Sequence, residues 1–243
     1  MELTVFSSYD KLSEFAAEQI LQTIRSKPQA VLCLATGESP KLTYNIFAQK
    51  VTEQKIDLGK VHFVALDEWI GIPSTNPGSC HHFLKENLFS PLGITKNIHL
   101  FDAFAADYSR ECEKMNETIL SLEGIDLMLV GIGMNGHIGF NEPGTQETLY
   151  AHVQELDSTT RQVGQKYFTE KTELKNGITL GLAHFFEARH AIILANGKKK
   201  SSIIKRALEG TISAQVPASL VRKHSSAQVL IDQEAASELA QRN

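Results

Sequence analysis

Cysteine is scarce in this chain: Cys33, Cys80 and Cys112 are its three cysteines in 243 residues. Three scattered thiols cannot build a disulfide framework, and such usage points to a reducing, cytoplasmic setting. Basic clusters are equally sparse. No Lys/Arg run exceeds Lys198-Lys199-Lys200 and the formal net charge is -4, which argues against nucleic acid as a partner. Long apolar runs are missing too, and the opening stretch MELTVFSSYDKLSEFAAEQI has no basic segment followed by an apolar one. A soluble protein with no membrane partner is expected. There is no internal repeat, low-complexity tract or long linker. At 42% hydrophobic residues the chain can bury one continuous core, so residues 1–243 are expected to form a single domain.

What is present is alternation. Helical periodicity over Tyr9–Arg25, Lys41–Glu53, Ser79–Leu88, Ala105–Leu122 and Lys199–Glu209 is interleaved with short apolar runs. Those runs, at Ala30–Leu34, Val61–Leu66, Ile125–Val130, Ala191–Leu194 and Gln228–Ile231, read as buried strands. Strands alternating with helices predict an α/β fold with a doubly wound, mostly parallel sheet. Ligands of such folds bind where chain leaves the carboxyl ends of the strands.

The loop after Val130 carries the densest chemistry. Between Gly131 and Gly144 lie five glycines together with Asn135, His137 and Glu142. Gly131, Gly133 and Gly136 match a dinucleotide fingerprint, and Asp157 sits near the usual ribose-binding distance after a candidate strand at His152–Leu156. A dinucleotide site, however, needs a helix opening at the third glycine, and Gly139, Pro143 and Gly144 would break one. Read by chemistry, His137 is a candidate general base, with Glu142 holding one ring nitrogen and fixing the tautomer. Asn135 either shares that task or binds substrate directly. A bland alternative is that His137 and Asn135 satisfy turn backbone.

Two further strand ends carry polar groups. Thr36, Gly37, Glu38 and Ser39 lie between a strand and a helix, where free N–H groups and hydroxyls suit a phosphate. Ser39 is expected as N-cap with Pro40 at the first helical position. The spacing is not that of a Walker loop. Lys200, at the start of another helix, is placed to add a cation, although a solvated charge is the default for a lysine in a triplet. Asp67 and Glu68 follow the strand ending at Leu66, and Trp69 beside them would supply an apolar wall that raises a carboxylate pKa modestly. Cys80-His81-His82 is weak as a metal site because adjacent ligands lack a second pair. Neither a metal nor a cofactor is expected.

Together these segments resemble the glucosamine/galactosamine-6-phosphate deaminase (isomerase) family. The resemblance rests on LCLATGESP (32–40), ALDEWIGIP (65–73), NPGSC (76–80), LVGIGMNGHIGFNEPG (129–144), NGITLGL (176–182) and VPASLV (216–221). It implies a modified Rossmann-like fold and a metal-free reaction on a hexosamine 6-phosphate, and it leaves a homo-oligomer open. It also implies Asp67 as enolising base, His137 as the ring-opening group, Glu142 as its support and Asn135 where some members carry aspartate. The phosphate contacts would be Thr36, Gly37, Glu38, Ser39 and Lys200, with Lys166 replacing an arginine of the glucosamine type and losing its bidentate geometry. LDEW, PGSC and NGITLGL look closer to the galactosamine-6-phosphate branch. Two alternatives stand beside it: a 6-phosphogluconolactonase-type hydrolase, which shares the fold and a phosphate loop, and a non-catalytic sugar-phosphate sensor.

Overall fold

The computed structural model describes residues 1–240. In chain order its strands are β1 (Glu2–Phe6), β2 (Val31–Leu34), β3 (His62–Ala65), β4 (Asp67–Trp69), β5 (Ile98–His99), β6 (Leu127–Gly131), β7 (His152–Glu155), β8 (Asn176–Thr179), β9 (His190–Ala195) and β10 (Ala227–Asp232). The α-helices are α1 (Tyr9–Ser26), α2 (Glu38–Gln54), α3 (Cys80–Leu84), α4 (Tyr108–Ser121), α5 (Ser158–Gly164), α6 (Leu182–Glu187) and α7 (Ser201–Glu209). Seven strands form a parallel sheet in the order β1-β10-β9-β6-β2-β3-β5, and β4-β8-β7 form a small antiparallel sheet.

Alternation along each central strand explains why helices cover both faces of the large sheet. Cys33, Met128, Val130, Ile193 and Val229 point into one core, whereas Leu32, Leu34, Leu129, Ile192 and Leu230 point into the other. The second core also takes Leu12, Ala16, Ile20 and Ile24 from α1, a stripe at helical spacing. Full burial of each such aliphatic side chain contributes roughly 1.5–3 kcal/mol. The order in which strands are added reverses between β2 and β6, which run parallel: the chain steps outward through β3 and β5, then returns to the far side of β2. The carboxyl ends of β2 and β6 therefore flank the crevice where such sheets bind ligands. They lead into Thr36–Ser39 and into the 131–144 loop.

All five expected strands are present within two residues of the predicted ends, but the sequence reading omitted four others. β1 completes the sheet edge beside β10, two-residue β5 closes the opposite edge, and β4 and β8 belong to the small sheet. β4 escapes notice because β3 runs into it with only Leu66 between: the chain leaves one sheet and enters another inside a single apolar run. The helix expected from Lys41 starts earlier, at Glu38, with Gly37 as N-cap at φ 106° and no capping side chain. Ser39 is thus inside the helix. The helix expected over Ser79–Leu88 begins at Cys80 and becomes a π-turn over Lys85–Phe89.

At the sheet's opposite, amino end, Asp126 is 7% exposed and accepts from the Val31 N–H at 2.8 Å, while Lys27 and Arg189 approach it at 2.9 Å. Both cations are partly solvated, so the buried N–H carries most of the effect. Asp126→Ala should lower stability by about 1–3 kcal/mol in denaturant titrations while leaving the ligand-binding end unaltered. An unchanged midpoint would show that Val31 is satisfied another way.

Candidate active site

One cleft of about 190 Å³ gathers most of the sequence-predicted residues: Thr36–Ser39, Asp67, His137, Lys166 and Lys200 all line it. It is far smaller than the roughly 300–1,000 Å³ of drug-sized ligand sites, which suits one sugar phosphate better than a dinucleotide. The dinucleotide reading fails locally as well. No helix follows Gly136, and Asp157 caps α5 by accepting from Thr159 N at 2.8 Å.

The paired carboxylates at the start of β4 have opposite environments because successive strand residues face opposite ways. Glu68 is fully buried and accepts four hydrogen bonds: from Trp69 N at 2.8 Å, Ser79 Oγ at 2.6 Å, Cys80 N at 3.0 Å and His81 N at 2.9 Å. Asp67 faces the cleft, and its Oδ1 is buried with no hydrogen-bond partner. Burial is the chief reason its pKa rises to about 7; the neighbouring Glu68 charge adds to this and the Cys80 thiol opposes it. That rise exceeds the modest one expected from the sequence. Trp69 does form an apolar wall of the cleft, tilted at 54° against Phe140 at 4.6 Å and edge-on to Phe168 at 6.1 Å. The Asp67 charge in turn helps to raise the pKa of Cys33, Tyr44 and Tyr167, each of them shifted chiefly by its own burial.

His137 is held from behind. Its Nδ1 lies 3.2 Å from Glu142 Oε2 and 2.9 Å from Thr160 Oγ1. Asn135 donates to the same Glu142 oxygen at 2.7 Å and accepts from His137 N at 3.2 Å. Asn135 therefore orients the carboxylate and the loop, and it does not line the cleft. Burial raises the Glu142 pKa, but hydrogen bonds from His137, Thr160 and Asn135 outweigh it and leave the group below the usual range. An ionised Glu142 accepts Nδ1–H and leaves Nε2 free for proton transfer. The ring packs onto Gly133, where an added Cβ would sit 2.3 Å from Nε2. This contact, not backbone freedom, explains that glycine.

Two lysines line the same cleft as the uncapped amino end of α2. Lys200 donates from Nζ to Ile132 O at 2.5 Å, and burial followed by repulsion from Lys166 pulls its pKa down to about 8. Lys198 and Lys199 are exposed, so Lys200 is the member of the triplet that enters the cleft. Lys166 lies over the Tyr167 ring at 4.7 Å. Cys80, His81 and His82 separate: Cys80 lines the cleft and His81 Nδ1 lies 3.5 Å from Glu68. The sequence reading gave no site role to Thr160, Tyr167 or Cys80. Thr160 is 23 residues from its partner His137, and nothing in the sequence signals the pairing. The Tyr167 hydroxyl faces the Thr36–Ser39 segment, 3.3 Å from where a Gly37 Cβ would be. Burial pushes its pKa to about 12, so it stays a phenol donor.

A carboxyl group with its pKa raised by folding binds more protons in the native state than in the unfolded state, so stability falls as pH rises between about 4 and about 7. Below that window both states are protonated and Asp67 costs nothing; above it the native state bears the full penalty. Asp67→Asn should therefore gain stability relative to the parent as pH is raised from 4 to 8, by up to about 4 kcal/mol, seen as a growing difference in Tm. A Tm difference that stays flat across that range would show that Asp67 is well solvated.

The description glucosamine-6-phosphate isomerases/6-phosphogluconolactonase fits residues 7–231 as a family. The Escherichia coli (strain K12) putative deaminase AgaI is 38% identical over 225 residues, 93% of this chain and 89% of that protein. The Bacillus subtilis (strain 168) glucosamine-6-phosphate deaminase 1 is 36% identical, covering 98% of this chain and 99% of its own. A solved monomeric glucosamine-6-phosphate deaminase superposes with a TM-score of 0.94 at 36% identity over 98% of this chain and 99% of its own. The 6-phosphogluconolactonase from Trypanosoma brucei, at 22% identity and a TM-score of 0.78 over 98% of each chain, shares the fold. A modified Rossmann-like sheet, a switch-point cleft and relatives matched over nearly their whole length agree, and the chain belongs to the glucosamine-6-phosphate isomerase/6-phosphogluconolactonase family.

Proposed function

We propose that this chain is a cytoplasmic, single-domain deaminating isomerase of hexosamine 6-phosphates, with galactosamine 6-phosphate preferred over its glucosamine epimer. One observation carries the reading: a desolvated carboxylate with an unpartnered oxygen shares a cleft with a histidine whose far nitrogen is held by a carboxylate. A base in water-poor surroundings suits proton removal from carbon. Hydrolysis of a lactone breaks no C–H bond and has no such need. The family resemblance of both the GHIGFNEP loop and LDEW supports the same choice.

The chemistry runs in three stages. His137 Nε2 accepts the proton of the O1 hydroxyl and returns it to O5, opening the pyranose, while Glu142 stabilises the transient imidazolium. Ionised Asp67 takes the C2 proton, forming an enolamine, and delivers a proton to C1 to leave an imine at C2. Water adds to that imine and ammonia departs, giving a ketohexose 6-phosphate, so the net reaction consumes one water. Thr36–Ser39, Lys166 and Lys200 hold the phosphate at the amino end of α2, where free N–H groups and the helix dipole favour an anion.

Purified protein should release ammonia from galactosamine 6-phosphate with kcat/KM about ten- to a hundred-fold above that for glucosamine 6-phosphate, as expected where one polar contact reads the C4 hydroxyl. The profile should be bell-shaped. Asp67, pushed to about 7, must lose its proton, so activity falls below neutrality; Lys200, drawn down to about 8, must keep its charge, so binding weakens above that pH. No ammonia from either epimer would refute the assignment, and faster use of the glucosamine epimer would refute the preference.

Asp67→Asn should lose about two to four orders of magnitude in kcat and still bind a phosphorylated sugar alcohol. His137→Ala should be impaired chiefly on the cyclic sugar, with an open-chain analogue spared. A Asp67→Asn variant retaining a tenth of parental activity would exclude it as the base, and equal losses on both substrates would exclude a ring-opening role for His137.

A further inference from the structure

His137 is held by one side chain that the mechanism above does not use. Its Nδ1 lies closer to Thr160 Oγ1, at 2.9 Å, than to Glu142 Oε2, at 3.2 Å. Thr160 sits in the first turn of α5, lines the cleft and is 5% exposed. Helical threonines elsewhere in the chain turn their hydroxyls onto the carbonyl four residues back: Thr23 to Gln19 O at 2.9 Å, Thr52 to Ala48 O at 3.0 Å and Thr118 to Lys114 O at 2.8 Å. The Thr160 hydroxyl instead meets two side chains of the 131–144 loop, the His137 ring and, at 3.5 Å, the Asn135 amide. Its helix is docked on that loop at a second point, where Asp157 N, at the N-cap of α5, donates to Glu142 Oε1 at 3.2 Å. Glu142 thus holds α5 with one oxygen and receives Asn135 and His137 on the other.

We propose that Thr160 is a positioning residue for His137: its hydroxyl, carried by α5, shares the Nδ1–H with Glu142 and fixes the direction in which Nε2 meets the sugar ring. This rests on His137 being the ring-opening group. One contact does not fix an imidazole, because the outer torsion of a histidine side chain has broad wells. The Glu142 contact is long beside the roughly 2.7–2.9 Å of charge-assisted N–H···O bonds, and the same oxygen already accepts from Asn135 at 2.7 Å. At its other edge the ring meets Gly133, where a Cβ would lie 2.3 Å from Nε2, so a residue with no side chain to restrain it borders that edge. Orientation therefore has to come from Nδ1. Two acceptors on different elements, a carboxylate on the loop and a hydroxyl on α5, restrict the tilt of the ring more than either alone. Misplacing a reacting group by about 1 Å can cost on the order of a hundred-fold in rate, which is the scale on which such a restraint matters.

The test compares Thr160→Val, which keeps the shape and loses the hydroxyl, with Thr160→Ser, which keeps the hydroxyl. In Thr160→Val, kcat/KM on the cyclic hexosamine 6-phosphate should fall about ten- to a hundred-fold, while an open-chain analogue loses less than about threefold. The inhibition constant of inorganic phosphate should stay within about twofold, and Thr160→Ser should recover cyclic-sugar activity to within about fivefold of the parent. A merely structural threonine would lower both substrates together. Unchanged kinetics in Thr160→Val would overturn the proposal, as would equal losses on the cyclic and open-chain substrates or a loss that Thr160→Ser does not repair. Should Thr160→Val fail to fold, proton NMR of the parent supplies the decision. The His137 Nδ1 proton, identified by its loss in His137→Ala, should show a nuclear Overhauser contact to the Thr160 β-hydrogen, and absence of that contact would refute the shared bond. Equal losses on both substrates in His137→Ala would instead defeat the ring-opening role of His137, a separate outcome from any of these.

Discussion

The Glu68 carboxylate organises the site although it never reaches the cleft. Four donors converge on a side chain with no solvent exposure, tying the strand segment Asp67–Trp69 to the amino end of α3 across the nine residues between Trp69 and Ser79. An ionised carboxylate surrounded by N–H and O–H groups tolerates burial because its lone pairs are occupied. Its strand neighbour, pointing the other way, receives none of those donors. The difference between a structural and a reactive carboxylate is thus one step along a strand: period-two alternation sends Glu68 into the turn and Asp67 into the cleft.

That same step accounts for what could be read from sequence. The parallel core was legible because Ala30–Leu34 and Ile125–Val130 are unbroken apolar runs, and a strand buried on both faces leaves such a run. The cleft was legible because glycine-rich and polar segments followed those runs, and topology then set the two best candidates, Thr36–Ser39 and the 131–144 loop, at the reversal point between β2 and β6. The small sheet was not legible. β4 has three residues and continues β3 after Leu66, so nothing in the pattern marks the change of sheet, and its partner β8 contains Gly177 and a polar Asn176. Which member of the DE pair faces the ligand, and that Thr160 stands behind His137, depends on contacts between residues distant in sequence. Periodicity carries no such information. The N-cap was misplaced for a different reason: Ser39-Pro40 has the chemistry of a helix start, yet Gly37 at positive φ turns the chain earlier and leaves the N–H groups uncapped.

An uncapped helix end is a cost that a ligand can remove. The first turn of α2 has no side-chain acceptor, and two ammonium groups stand near it, one of them buried enough to be pulled toward neutrality. A dianionic phosphate between them would satisfy the N–H groups, screen the repulsion of Lys166 on Lys200 and hold Lys200 in its charged form. Under the proposed function these groups are arranged to receive a dianion.

Asp67, the base under the proposed function, obeys the same logic with opposite sign. Burial holds Asp67 near half-ionised at neutral pH, so the free enzyme avoids part of the cost of an unpaired buried anion. A hexosamine carries its ammonium on C2, the carbon from which the proton must leave. Bringing that cation beside Asp67 favours the carboxylate form as the substrate enters, just as the phosphate favours charged Lys200 at the other end. Each end of the substrate thus supplies the charge that readies the group facing it. A neutral sugar phosphate of the same shape would recover only the phosphate half of this effect. Discrimination for an amino sugar would then reside in the burial of one carboxylate, with no dedicated side chain for the amino group.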